Sequence, residues 1–182
     1  LGDHYVGEKI GEIWGLVSNG LFQSDEEAAS WDQKAIDGGH WSAGDVKFED
    51  LDGDNKVTWG EGTVDKPGDR KILGNSLPSM QYGVNLGFDW LGIDASIFLQ
   101  GTGNHYFYPP GMNIAFWGSY SYAYYTAFMP RDFIKTVWTE ENNQACFPRA
   151  RVYSSTGGEL APVDSRYLQN VRYLRLKNLT VG

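Results

Sequence analysis

MQYGVNLGFDWLGIDASIFLQG, residues 80–101, alternates with a period of two. Tyr82, Val84, Leu86, Phe88 and Trp90 fall on one side, with Gln81, Gly83, Asn85, Gly87 and Asp89 between them. After Leu91-Gly92 the alternation resumes, with Ile93, Ala95, Ile97 and Leu99 opposing Asp94, Ser96, Phe98 and Gln100. Side chains of a strand point alternately to opposite faces, so each run predicts a strand with one apolar face, and the short break predicts an antiparallel hairpin. Two readings account for such a hairpin. One is a half-solvated sheet packed on a soluble core. The other is a membrane-spanning barrel hairpin whose apolar face meets lipid and whose polar face borders a lumen. Each run is near the ~9–11 residues a tilted membrane strand needs, and Phe88 and Trp90 sit at the turn end, where an interfacial aromatic girdle lies.

Working outward, 8–22 and 171–182 also read as extended, the latter with Leu174 and Leu176 alternating with Tyr173, Arg175 and Lys177. The predicted strands therefore lie near 8–22, 80–90, 93–100 and 171–182, separated by long irregular stretches near 23–73 and 102–166. Connections of that length are rare in compact domains and usually functional, and short turns opposite long loops are the asymmetry of an outer-membrane barrel. The fold class expected is all-β, with short helices bracing the loops. Ser24-Asp25-Glu26-Glu27 fits a capping box that opens one helix. Pro130 opens a second, in which Phe133 and Val137, and Ile134 and Trp138, are spaced four apart.

Within the first long stretch, Asp50–Glu61 reads DLDGDNKVTWGE. Asp50, Asp52 and Asp54 occupy the first, third and fifth positions of an EF-hand-type loop, Lys56 offers a carbonyl at the seventh, and Glu61 falls at the twelfth. Asn55 stands where glycine is usual, but asparagine tolerates the left-handed conformation that position needs. The spacing predicts a structural calcium ion on Asp50, Asp52, Asp54, Lys56 and Glu61; the alternative is a solvated acidic turn built on Asp52-Gly53.

Composition narrows the function classes. The 182 residues carry 15 Lys plus Arg against 23 Asp plus Glu, a net charge of −8, which argues against nucleic acid because phosphate binding needs a basic stripe. One cysteine, Cys146, excludes an internal disulfide and any multi-thiolate metal site. His4, His40 and His105 are scattered without zinc spacing, and neither a nucleophile elbow nor a P-loop is present. No enzymatic activity is expected. The aromatics Tyr106, Phe107, Tyr108, Phe116, Trp117, Tyr120, Tyr122, Tyr124 and Tyr125 crowd the second long stretch, where most are expected to pack the loop and one or two to face a ligand.

Several segments resemble one family. Gly7–Gly15 with Asn19–Gln23, GEKIGEIWG…NGLFQ, is similar to the "GxPIGxFYGY…DGIFQ" stretch of SusC/RagA-type TonB-dependent outer-membrane transporters. Asp69–Pro78, DRKILGNSLP, resembles the "DRxxIGNPxP" element, Phe98–Gly101 the "FFQG" strand end, and Tyr173–Gly182 the late "YLRLKNITLGY" strand. Gly44–Asp50 with its acidic continuation, and more weakly Trp138–Asn142, match in the same order. The resemblance implies a late section of a plugged barrel of roughly 22 strands, without the plug. It implies import of oligosaccharides or peptides, a SusD-like surface lipoprotein as lid, energy from TonB through the missing plug region, and a bacterial outer-membrane location. In that scheme the nine apolar residues from Tyr82 to Leu99 face lipid, and the Leu91-Gly92 turn is periplasmic. The competing class is a secreted, calcium-stabilised β-sandwich that binds carbohydrate, in which the same nine residues meet a second sheet.

Overall fold

The computed structural model describes residues 7–121 and 131–182. Tyr122, Tyr124, Tyr125 and Pro130 lie outside the described residues. The elements, in chain order, are β1 (Glu12–Leu16), β2 (Ser18–Leu21), α1 (Asp25–Ser30), β3 (Val46–Phe48), β4 (Arg70–Asn75), β5 (Gln81–Trp90), β6 (Ile93–Thr102), β7 (Tyr106–Phe107), α2 (Ile114–Trp117), β8 (Gln169–Asn170) and β9 (Tyr173–Val181). The chain is mostly strands with few, short helices. The sheets are β1-β4, β2-β3, β5-β6-β9 and β7-β8, and no closed barrel forms among the described residues. Two compact units emerge, one built mainly from Trp14–Leu73 and Tyr108–Leu168, the other from Lys9–Ile13, Gly74–Phe107 and Gln169–Gly182.

The first unit has a buried core of Leu16, Leu21, Ile36, Val46, Phe48, Val57, Trp117, Tyr120, Phe147 and Tyr167. Its aromatic centre is ordered: Phe147 lies between the rings of Tyr120 and Tyr167, with centroids 5.4 and 5.6 Å away and interplanar angles of 12° and 19°. Trp117 meets Tyr167 edge-on at 4.8 Å. Short strands leave backbone groups unpaired, and side-chain amides take their place. The buried Gln33 donates from Nε2 to the Val46 carbonyl (2.9 Å) and accepts at Oε1 from the Phe48 amide (3.1 Å). This satisfies the free side of β3, where an unpaired buried amide would cost about 1–3 kcal/mol.

α1 starts as its sequence predicts. The Ser24 hydroxyl accepts from the Glu27 amide at 3.2 Å, and Glu27 reaches back to accept from the Gln23 amide at 2.8 Å, one residue earlier than the usual box. The helix expected after Pro130 does not extend through Trp138. A single 3₁₀ turn, Phe133–Thr136, is followed by extended Val137, which bridges Phe147. Trp138 donates to the Phe147 carbonyl and Phe147 to that of Thr136, so the backbone bonds a helix would use internally go to a neighbouring segment.

The second unit is dominated by the antiparallel β5-β6-β9 sheet. β5 and β6 pair without interruption from Gln81↔Thr102 to Trp90↔Ile93. Leu91 and Gly92 have φ of 53° and 85°, the positive pair that a two-residue hairpin turn demands. β9 pairs with β6 from Ala95↔Val181 to Thr102↔Tyr173, with an irregularity between Phe98 and Leu99. There Phe98 faces Asn178 but Leu99 faces Leu176, so Lys177 is one residue more than β6 can match. The apolar residues of β9 change parity at this point, from 179 and 181 to 174 and 176, and the bulge absorbs the change.

Candidate functional site

The register assembles a one-sided surface. From the turn outward, its rows are Trp90–Ile93, Phe88–Ala95–Val181, Leu86–Ile97–Leu179, Val84–Leu99–Leu176 and Tyr82–Gly101–Leu174. All nine hairpin residues singled out by alternation thus share one face, and β9 adds Leu174, Leu176, Leu179 and Val181, of which only the first two were evident from alternation. The face is open: Phe88 and Trp90 each keep 60% of their surface exposed, and Leu179 keeps 57%. Among the described residues no second layer covers it. The opposite face carries Gln81, Asn85, Asp89, Asp94, Ser96, Gln100, Thr102, Arg175, Asn178 and Thr180, with Phe98 lying over Gly83.

Glycine has a specific task on the apolar face. A Cβ at Gly101 would lie 2.3 Å from Cζ of Tyr82, and one at Gly103 would lie 2.7 Å from Cγ of Met80. The ring and the thioether therefore lie flat over bare backbone, an arrangement no larger residue permits.

The acidic loop winds around Asp50 in its first half. Asp50 accepts from the amides of Gly53 (2.6 Å) and Asn55 (2.8 Å), Asp52 from Asp54, and Asp54 from Lys56. Asn55 is left-handed, with φ of 65°. Lys56 ends the loop in a parallel bridge to Asp32. Glu61 lies apart from the loop's centre, in an exposed ion pair with Lys66 at 2.7 Å. Among the described residues, the group of three carboxylates that come within 4.8 Å of one another is Asp50, Asp52 and Asp69. Asp69 is fully buried, and its two oxygens accept from the amides of Leu51 and Thr58, both at 2.6 Å, clamping the two ends of the loop. Sequence reasoning missed it because it lies 18 residues beyond Leu51, outside any contiguous loop pattern. The Asp52 carboxyl is raised from its ordinary value. The Asp54 amide pulls it down, but burial and the nearby carboxylates of Asp54, Asp69 and Asp50 outweigh that pull. Three clustered carboxylates with no basic side chain among them are a donor set suited to a hard, oxygen-seeking cation.

Elsewhere in the first unit, Arg151 bridges two buried carboxylates, Asp45 and Glu159 (2.8 Å), and donates to the His40 carbonyl. Burial, reinforced by Asp45, pushes Glu159 up to about 7, while Arg151 only partly offsets it. Burial likewise lifts Asp164 to about 7, although it accepts from the amides of Arg166 and Tyr167. Of the loop aromatics, Trp117 and Tyr120 are core and Phe116 packs against it, whereas Phe107 is exposed. Tyr106 lies over Gly74, and Tyr108 donates to the Pro162 carbonyl.

No family model matches the chain. It is similar to TonB-dependent receptor P3 of Formosa agariphila, at 26% identity over 176 residues, covering 97% of this chain and 15% of that receptor. The chain thus spans about 15% of the length of the curated relative it matches, and what the comparison supports is a distant relationship to a TonB-dependent receptor.

Proposed function

We propose that this chain forms part of an outer-membrane importer energised through TonB, taking up oligosaccharides or peptides beneath a SusD-like lipoprotein lid. The observation that carries the proposal is the open, unbroken apolar band of the β5-β6-β9 sheet. A ten-residue strand is about 34 Å long, and at a tilt near 45° it rises about 25 Å, the height of a lipid-facing band. In water, so many contiguous exposed apolar side chains on one face would invite aggregation. In lipid they are at home. The distribution of loops supports the same reading, because the chain turns in two residues at Leu91-Gly92 and makes its longer connections at the other end of all three strands. The similarity to a TonB-dependent receptor supports it independently. In this role the chain carries no catalysis, and the nine residues from Tyr82 to Leu99 face hydrocarbon.

The test is depth-resolved quenching in the intact protein reconstituted into vesicles whose acyl chains carry bromine. Trp90 fluorescence, isolated as the difference between the unmodified protein and Trp90→Phe, is expected to be quenched by bromine near the headgroup more than by bromine at the bilayer centre. An unquenched Trp90 overturns the membrane reading.

The same reading places a structural calcium ion in the acidic loop, held by Asp50, Asp52 and the buried Asp69, with Asp54 and the Lys56 carbonyl along the same winding. Such an ion would supply loop rigidity and no chemistry. Calorimetric titration of calcium into the intact protein is expected to give heat that Asp52→Ala abolishes; identical heats from both proteins dispose of the site.

A further inference from the structure

The apolar band does not end on another apolar row. One step beyond Tyr82–Gly101 lie Met80 and Gly103, with the Gly103 amide donating to the Met80 carbonyl at 2.8 Å, and Arg172 immediately precedes β9 beside them. Arg172 is the charged residue among those that meet at this end of the band, away from the hairpin turn. A cavity of about 530 Å³ opens there at the end of the sheet, lined by Met80, Tyr82, Leu174 and Arg172 and, from the opposite face, by Thr102 and Tyr173, with Ser79 and Asn104 at its polar margin. Gly103 lines it with bare backbone, over which Met80 lies, while Tyr82 reaches it from its place over Gly101. Among the described residues no carboxylate lies within ion-pair distance of the Arg172 guanidinium, and none lines the cavity.

We propose that this cavity holds the headgroup of a phosphate-bearing acyl lipid, with the phosphate on Arg172 and the acyl chains running down the band past Leu174 and Tyr82. The inference rests on the outer-membrane reading above. Three features favour this occupant. A guanidinium presents a planar fork that matches two phosphate oxygens, and it is less strongly hydrated than an ammonium, which suits a half-apolar setting. The cavity is continuous with the apolar band, so an anion and a hydrocarbon chain can be bound together. Ser79, Asn104 and the Tyr82 hydroxyl add polar groups at the level where a headgroup meets its chains, the depth at which aromatic and basic side chains anchor membrane proteins. A free anion would leave the apolar walls at Met80, Tyr82 and Leu174 without a function.

The test is lipid retention by the intact detergent-solubilised protein, followed by native mass spectrometry. The probes are dioleoyl phosphatidic acid, dioleoylglycerol with the same chains, and inorganic phosphate. Phosphatidic acid is expected to be retained and to bind about tenfold more weakly to Arg172→Gln, the loss of one charge-assisted contact. Arg172→Lys is expected to fall between the two, and dioleoylglycerol to bind both proteins alike. Equal retention of phosphatidic acid by the unmodified protein and Arg172→Gln overturns the proposal, as does ready displacement of that lipid by inorganic phosphate. Trp90 quenching by brominated lipid, measured on the same two proteins, separates the failures. Quenching with unchanged lipid retention removes only the headgroup site, whereas absence of quenching removes the membrane reading with it.

Discussion

The two units use the same kinds of side chain in opposite ways. In the first, the large rings turn inward, with Trp117, Tyr120 and Tyr167 essentially sealed, and its buried carboxylates are either paired with Arg151 or, as Asp69 and Asp164, held by backbone amides. In the second, Phe88 and Trp90 stand on the outside of a three-stranded sheet with none of the described residues covering them, beside rows of exposed leucine, isoleucine and valine. Burial inside a core and solvation by hydrocarbon both satisfy an aromatic ring, so residue type alone does not say which is in force. Geometry does. The first unit wraps its rings on several sides with short strands and turns, whereas the second presents them in one plane.

The sharpest way to break the contrast is to truncate the first unit's core. Trp117→Ala removes a ring packed against Phe116, Phe147 and Tyr167, and is expected to cost about 3–5 kcal/mol by denaturant unfolding monitored on that unit. A cost near zero would mean that the rings do not form one core. The matching change in the second unit is Leu86→Arg, in the middle row of the apolar band. In a bilayer it is expected to cost about 2–4 kcal/mol of insertion stability, measured by folding into vesicles; the same change on a water-exposed sheet stays within about 0.5 kcal/mol.

pH sharpens the contrast from the other side, because the first unit buries carboxylates. Glu159 and Asp164 both titrate near 7 when folded, against ordinary values of 4.5 and 3.8. The folded state therefore holds protons that the unfolded state has released. This stabilisation is complete below about pH 4 and is lost as pH rises through 7. Thermal unfolding of the first unit is expected to show a loss on the order of 2–3 kcal/mol for each of the two groups between pH 5 and pH 8, and Glu159→Gln should remove about half of the slope. A rise in stability over that interval would contradict the assignment. The smallest effect expected is at the α1 cap, where Ser24→Ala should cost about 1 kcal/mol and leave the second unit unchanged.

Legibility followed locality. The hairpin could be read because both signals, strict alternation and a two-residue break, are contiguous, and so could the Ser24 cap and the left-handed Asn55. What escaped was set by partners distant in the chain. Asp69 closes the acidic loop from a different segment, and Gln33 completes β3 through a side chain that no strand pattern marks. The four-residue spacing of Phe133, Ile134, Val137 and Trp138 suggested a helix, but aromatic packing on Phe147 draws the backbone out after one turn. The 8–22 stretch divides into β1 and β2, which pair with β4 and β3 rather than with the hairpin, a choice invisible in its own glycine-rich composition.

The spare residue in β9 has a consequence for how this strand can change in length. Loss of the single codon for Lys177 would leave Leu174, Leu176, Leu179 and Val181 in unbroken alternation, so a one-residue deletion there is silent for sidedness. Straightening the strand while keeping that codon would instead carry Lys177 and Arg175 onto the greasy side and turn Leu174 and Leu176 toward the polar one. The Lys177-Asn178 step is therefore where the length of this strand can change by one residue without altering which side its leucines face.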